Sequence, residues 1–218
     1  MTLRAVIALS LAGGLVAGFA PVRQAAAQVE DALRAYRSQL GSADEDLRHS
    51  ALLWLGQHGD ERAVQDILSV LQHSDELSRR LAERALWSIW SRSGDDEVDQ
   101  MLAMGSGMLA TGRLSTSIDV FNEIIRRRPD FAEGYNKRAT AWYYMGEYER
   151  SMEDIVRTLQ RNPNHFGALS GAGLCLTALE RPEQALHYIK RALSINPNMA
   201  SMRDLAHDLE ASLSKRMM

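Results

Sequence analysis

Three prolines, Pro129, Pro163 and Pro197, recur at a spacing of 34 residues, and each closes a run of helix formers (124–128, 158–162 and 192–196). Proline lacks the N–H that would continue a helix and steers the residue before it out of the helical region. The three runs are therefore read as the ends of equivalent helices. A fixed period of this size implies stacked helical units, none of which buries its apolar face alone. A new helix is expected after each proline. Asp130 with Glu133 reads as a capping box, and Asn164 and Asn198 read as caps.

Between the prolines, small residues recur in one phase at Gly105, Ala139 and Gly173, where two helices must approach closely. Met108, Trp142 and Leu176 are the large residues beside them. Gly112-Arg113-Leu114, Gly146-Glu147-Tyr148 and Glu180-Arg181-Pro182 mark turns within each unit, with Pro182 suited to a first helical position. This pattern resembles the tetratricopeptide-repeat (TPR) family, whose unit is a pair of antiparallel helices. The units are 98–131, 132–165 and 166–199. The third matches best, with Leu169, Ala172, Gly173, Leu176, Ala185, Tyr188, Ala192 and Pro197. Arg138 departs from the usual leucine and is read as snorkelling to solvent. Residues 200–218 supply a capping helix and tail, with Met202, Leu205, Ala206 and Leu209 on one side. The resemblance implies an all-α fold: a right-handed α-solenoid of three TPR units plus a capping helix, preceded by degenerate helical repeats.

Those degenerate repeats occupy residues 28–97. Helices are expected over 29–40, 44–57 (with Ser42 and Glu45 as a capping box), 61–73 and 75–92. Gly59-Asp60-Glu61 and Gly94-Asp95-Asp96 lie 35 residues apart and follow the similar stretches 51–55 and 86–90. The segment is similar to HEAT-type helix pairs or to divergent TPR units. With no Pro-, Gly- or Ser-rich linker, it is expected to stack directly on the array. Trp54, Trp87 and Trp90 are read as filling seams between helices, the alternative being an exposed patch that binds a partner.

Residues 1–27 read as an export signal: a short positive start ending at Arg4, an uncharged apolar stretch over 5–20, and Ala25-Ala26-Ala27 before a cleavage at Gln28. The apolar stretch is shorter than the roughly 20 residues that span a bilayer. A bacterial periplasmic location is expected, with an uncleaved membrane anchor as the alternative. Cys175 is the single cysteine, so no intramolecular disulfide can form, and it is read as a packing residue.

The chain carries 25 Lys+Arg and 28 Asp+Glu; without Arg4 and Arg23 its charge falls from −3 to −5, which argues against nucleic acid as a partner. Arg126-Arg127-Arg128 ends an expected helix, where cations suit the dipole. The six histidines form no i, i+4 pair, and the sequence holds no HExxH, GxSxG, Walker or dinucleotide motif. No catalysis, metal or cofactor is expected.

In the TPR family the first helix of each unit lines a concave face that holds a peptide or protein. The resemblance places Leu102, Ser106 and Leu109 there from the first unit. The second contributes Asn136, Thr140, Tyr143 and Tyr144, and the third Ser170, Leu174 and Thr177. The two tyrosines either contact the guest or pack on neighbouring helices. Some TPR modules grip a C-terminal carboxylate with paired Lys and Asn. Here those positions are Leu102, Ser106, Lys137, Gly167 and Gly171, so that clamp is absent. The expected function is an exported protein-binding adaptor or scaffold without catalysis. The alternative is a structural protein, self-associating as a homo-oligomer or serving as an accessory subunit of a cell-envelope complex.

Overall fold

The computed structural model describes residues 19–216, and every regular element among them is an α-helix. Residues 1–18 and 217–218, including most of the expected signal, lie outside the described residues. The C-terminal part follows the proline phase. After α5 (Asp96–Ala110) come α6 (Leu114–Arg127), α7 (Ala132–Tyr144), α8 (Tyr148–Arg161), α9 (Phe166–Ala178), α10 (Pro182–Ile195) and α11 (Ala200–Arg216). The second helices α6, α8 and α10 start and stop at the same 34-residue step. Each helix packs on the next, and the three prolines fall in the turns between hairpins.

The small residues act as the phase required. A Cβ on Gly105 would lie 2.6 Å from the Phe121 ring, and one on Gly173 would overlap Ile189. At the intervening position Ala139 and Ile155 share a core cluster. Gly112 and Gly146 take φ of 75° and 79°, the left-handed region that ends a helix at little cost to glycine. Glu180 occupies the same step of the third unit at φ 57°, where its Cβ is strained.

Several expected caps are replaced. Asp130 bonds Arg128, while Glu133 is buried, so they form no capping box and α7 has no side-chain cap. The cap of α9 is His165 rather than Asn164: its Nδ1 accepts the Ala168 N–H at 3.0 Å. Asn198 donates to the Leu71 carbonyl and to Asn196 Oδ1, both at 3.0 Å. Arg138 does not snorkel. It clasps the buried Asp154 through two bonds of 2.7 Å and donates a third to Asn122. The arginine run is paired, Arg126 and Arg127 with Glu123 and Arg128 with Asp130.

The N-terminal part contains α1 (Phe19–Gln39), α2 (Glu45–His58), α3 (Glu61–Val70) and α4 (Glu76–Trp90). Asp44, Asp60 and Asp75 cap the last three; Ser42 only accepts the Asp44 N–H, so the expected Ser42 box is absent. The helices form two layers. Glu30–Arg62 and Arg37–Asp66 pairs advance together along α1 and α3, which therefore run parallel. Arg48–Ser78, Gly56–Ser88 and Gly59–Arg92 bonds do the same for α2 and α4. Arg48 is 1% exposed and is satisfied by Ser78 and the Ser42 carbonyl. Trp54 stacks between Tyr36 and His58.

The next helix, α5, leaves this unit and packs on α6. The side of α3 and α4 left open is covered by Phe166, Ile195 and Met199 of the C-terminal array. The N-terminal unit therefore does pack on the array, but along its flank of proline turns, not as one more unit at its end. It meets the first turn where Gly94 nears Arg128, the second at His165, and the third where Leu71 bonds Asn198. Trp87 and Trp90 fill this seam: Trp90 stacks on His165 at 4.7 Å, and Trp87 meets His165 and Phe166 edge-on at 5.3 Å.

Candidate functional site

Helices α5, α7 and α9 stand side by side as the first helices of their units, and two depressions open along them. One, of about 180 Å³, lies between α7 and α9 and is lined by Asn136, Thr140, Tyr143, Tyr144, Ser170 and Leu174, over a floor that includes Ala139, Gly167 and Gly171. The other, of about 500 Å³, lies between α5 and α7 and is lined by Ser106, Leu109, Ala110, Leu114, Lys137, Thr140 and Tyr144. Thr140 and Tyr144 belong to both and form the ridge between them.

Eight of the ten residues assigned to the groove thus border one continuous surface. Leu102 does not: it is 4% exposed inside the core of the first unit, because α5 turns that side toward Phe121 and Ile124. Thr177 borders neither depression, and its hydroxyl returns to the Gly173 carbonyl at 2.8 Å. Tyr144 is 64% exposed, whereas Tyr143 also packs on Tyr148, their centroids 5.6 Å apart. The two readings of the tyrosines are therefore divided: Tyr143 braces the wall and Tyr144 projects from it. Burial, with neighbouring Tyr148, pushes the Tyr143 phenol above its ordinary pKa and keeps it protonated at neutral pH.

Most polar atoms of the lining are already engaged. The Thr140 hydroxyl donates to the Asn136 carbonyl (3.0 Å), Ser170 to the Phe166 carbonyl (2.7 Å) and Ser151 to the Ala139 carbonyl (2.8 Å). The one charged lining residue, Lys137, lies 3.2 Å from Glu133 Oε1 and 5.8 Å from the Trp87 ring centroid. That Glu133 contact is a charge pair without hydrogen-bond alignment, since Oε1 makes no geometrically sound bond.

Beneath the rim lies a cluster that sequence reasoning missed. Glu133 and His165, both fully buried, are joined by a 2.9 Å bond, and Asn136 donates to the same carboxylate at 3.1 Å. Because His165 Nδ1 accepts the Ala168 N–H, the hydrogen-bond network leaves Nε2 to donate to Glu133. Burial pushes the Glu133 carboxyl up, but the His165 bond and the Lys137 cation outweigh it and hold it below its ordinary value. Trp87 closes the rim: a Cβ on Gly167 would overlap its ring. No periodic signal links residues this far apart in the chain; only the glycine at 167, unusual at a helix start, hinted at a close approach.

Buried Cys175 donates to the Ser151 hydroxyl, and burial raises its thiol, which suits packing. Among the described residues no group of His, Cys, Asp or Glu is placed to hold a metal ion, and no helix is long and apolar enough to cross a membrane.

Comparison with known proteins agrees with this geometry. A tetratricopeptide-repeat model matches residues 136–200, and a PBS lyase HEAT-like repeat model matches residues 47–73. A TPR repeat-containing protein of Rhizobium etli is 34% identical over 108 residues, 50% of this chain and 53% of that protein. The chain thus spans about half the length of this curated relative. Among solved structures, the Sgt2 TPR domain from Aspergillus fumigatus superposes with a TM-score of 0.53 at 18% identity, over 56% of this chain and 82% of that one. The first TPR of Spaghetti (RPAP3), bound to an HSP90 peptide, gives 0.53 at 18% identity, over 55% of this chain and 94% of that one. At such identity these likenesses speak to the fold. With hairpins in one 34-residue phase, a tetratricopeptide-repeat model over the second and third, and a HEAT-like match on the parallel layers before them, the chain carries tetratricopeptide repeats in its C-terminal half.

Proposed function

We propose that the chain is an exported adaptor that holds an extended segment of another protein across α5, α7 and α9, without catalysis. The observation that carries this reading is the acid-free surface around Tyr144, an exposed aromatic ring between two depressions. Exposed aromatic side chains with little rotamer entropy to lose are frequent binding hot spots. The HSP90 peptide bound by the Spaghetti TPR is a precedent for a guest on this fold, but the positions that form a carboxylate clamp in some TPR modules lack that chemistry here: Leu102 is buried, Gly167 lies under Trp87, and Lys137 is engaged by Glu133.

Export rests on the sequence of residues 1–27, and the packing is compatible with it. Gln24 and residues 26 and 27 of α1 are exposed, so cleavage before Gln28 takes no buried side chain from among these three. On this reading the chain divides into a signal (1–27), a HEAT-like unit (28–97), the array (98–199) and a cap (200–218). Affinity capture from an extract with the mature protein, compared with Tyr144→Ala, tests the groove. Loss of a specific partner at unchanged helicity supports it, and equal capture by both proteins refutes it. N-terminal sequencing of the chain recovered from the periplasm tests export, with Gln28 as the expected first residue.

A further inference from the structure

The hole between α7 and α9 has chemistry definite enough to name what fills it. Its volume, about 180 Å³, is close to the roughly 150 Å³ of a cavity that accommodates one benzene ring. Small residues line it at Gly171, Gly167 and Ala139, and at Gly171 the missing side chain is one that would reach toward Ile155, another lining residue. No carboxylate or cation lines it. The hydroxyls of Thr140, Ser170 and Ser151 are spent on backbone carbonyls. A charged group placed there would lose its water and find no opposite charge to replace it. The nearest cation, Lys137, belongs to the neighbouring depression and is held by Glu133 and Trp87.

We propose that this hole is an anchor pocket for one large uncharged apolar side chain (leucine, methionine or phenylalanine) of an extended, carboxylate-independent segment of a partner protein. The inference deepens the groove reading above and rests on it. Tyr143 and Tyr144 both line the hole, and the exposed ring of Tyr144 is free to meet the guest's backbone once the anchor is seated. Charge plays little part in the recognition, so affinity depends weakly on salt, unlike grips on a terminal carboxylate.

Gly171 gives a clean test. A Cβ there meets Ile155 Cδ1 at 3.4 Å, an ordinary contact, so the fold accepts a side chain that occupies the hole. Random peptides displayed on phage are selected on the full protein, and the winners are titrated as labelled peptides by fluorescence anisotropy. Winners are expected to share one leucine, methionine or phenylalanine without enrichment of a terminal acid. Changing that residue to alanine, or the protein to Gly171→Val, weakens binding about tenfold or more, the equivalent of exposing one such side chain. Gly171→Ala falls between, and circular dichroism confirms that both variants fold. Winners that bind Gly171→Val as well as the parent, or that carry a charged residue in place of the anchor, overturn the pocket while leaving the groove standing. A selection with no binder, or binders indifferent to Tyr144→Ala, overturns the groove and the pocket with it.

Discussion

Replacing Arg138 by leucine puts in the residue that TPR units usually carry there, so a repeat-consensus argument expects a gain in stability. The structure expects a loss. Asp154 is 1% exposed, and Arg138 Nε and Nη2 each reach it at 2.7 Å, with the arginine side chain itself only 17% exposed. Removing one partner of a buried pair costs about 3–5 kcal/mol, because a charge remains without its counterion. Arg157 still reaches Asp154 at 2.9 Å but is 45% exposed, and it offsets part of that cost. The net expectation is a destabilisation of about 2–3 kcal/mol. For a chain of this size that is a fall in Tm of about 4–12 °C. Urea unfolding followed by far-UV circular dichroism measures it, and the slope is compared as well, since an array can lose cooperativity between units. Adding Asp154→Leu removes the stranded charge and is expected to restore stability to within about 1 kcal/mol of the parent. Arg138→Leu alone matching or exceeding the parent would refute this account of the pair.

Glu180→Gly relieves the only left-handed non-glycine residue among those described and is expected to stabilise the third hairpin by about 1 kcal/mol, read from the same urea curves. Trp90→Ala opens the seam against His165 and Phe166 at a cost of about 3–5 kcal/mol, and limited proteolysis should then cut the segment between α4 and α5 first. The seam is also acid-sensitive. Glu133 has a lowered folded pKa, so its contribution is complete above its unfolded value of 4.5 and is lost as pH falls through the lower folded value. Tryptophan fluorescence should report that loss as an acid step that Glu133→Gln removes; an unchanged step in the variant would assign it to other carboxylates, such as Glu123, held at about 2 by Arg126 and Arg127.

The repeat was legible because everything that sets it is local. Prolines, turn glycines and small residues act within one hairpin, so their 34-residue phase reappears unchanged in the helices, and eight of the ten residues that the resemblance assigns to a groove border the two depressions. The misreadings share a cause. Glu133 and Asn198 have the side chains of capping residues, but each is claimed by a partner distant in the chain, His165 for one and the Leu71 carbonyl for the other. Arg138 was placed in solvent because its counterion, Asp154, belongs to the facing helix.

Local chemistry alone settles that the C-terminal part of this chain makes hairpins of helices in a 34-residue phase, and where the turns between them fall. Only the tertiary structure decided where the N-terminal unit goes. Two parallel layers expose one uncovered side, and the nearest apolar cover is Phe166, Ile195 and Met199 on the flank of the array. Burial of that side is non-directional and draws on residues far apart in the chain, so no periodicity announces it. That choice brings Trp87 against Gly167, which lines the depression between α7 and α9.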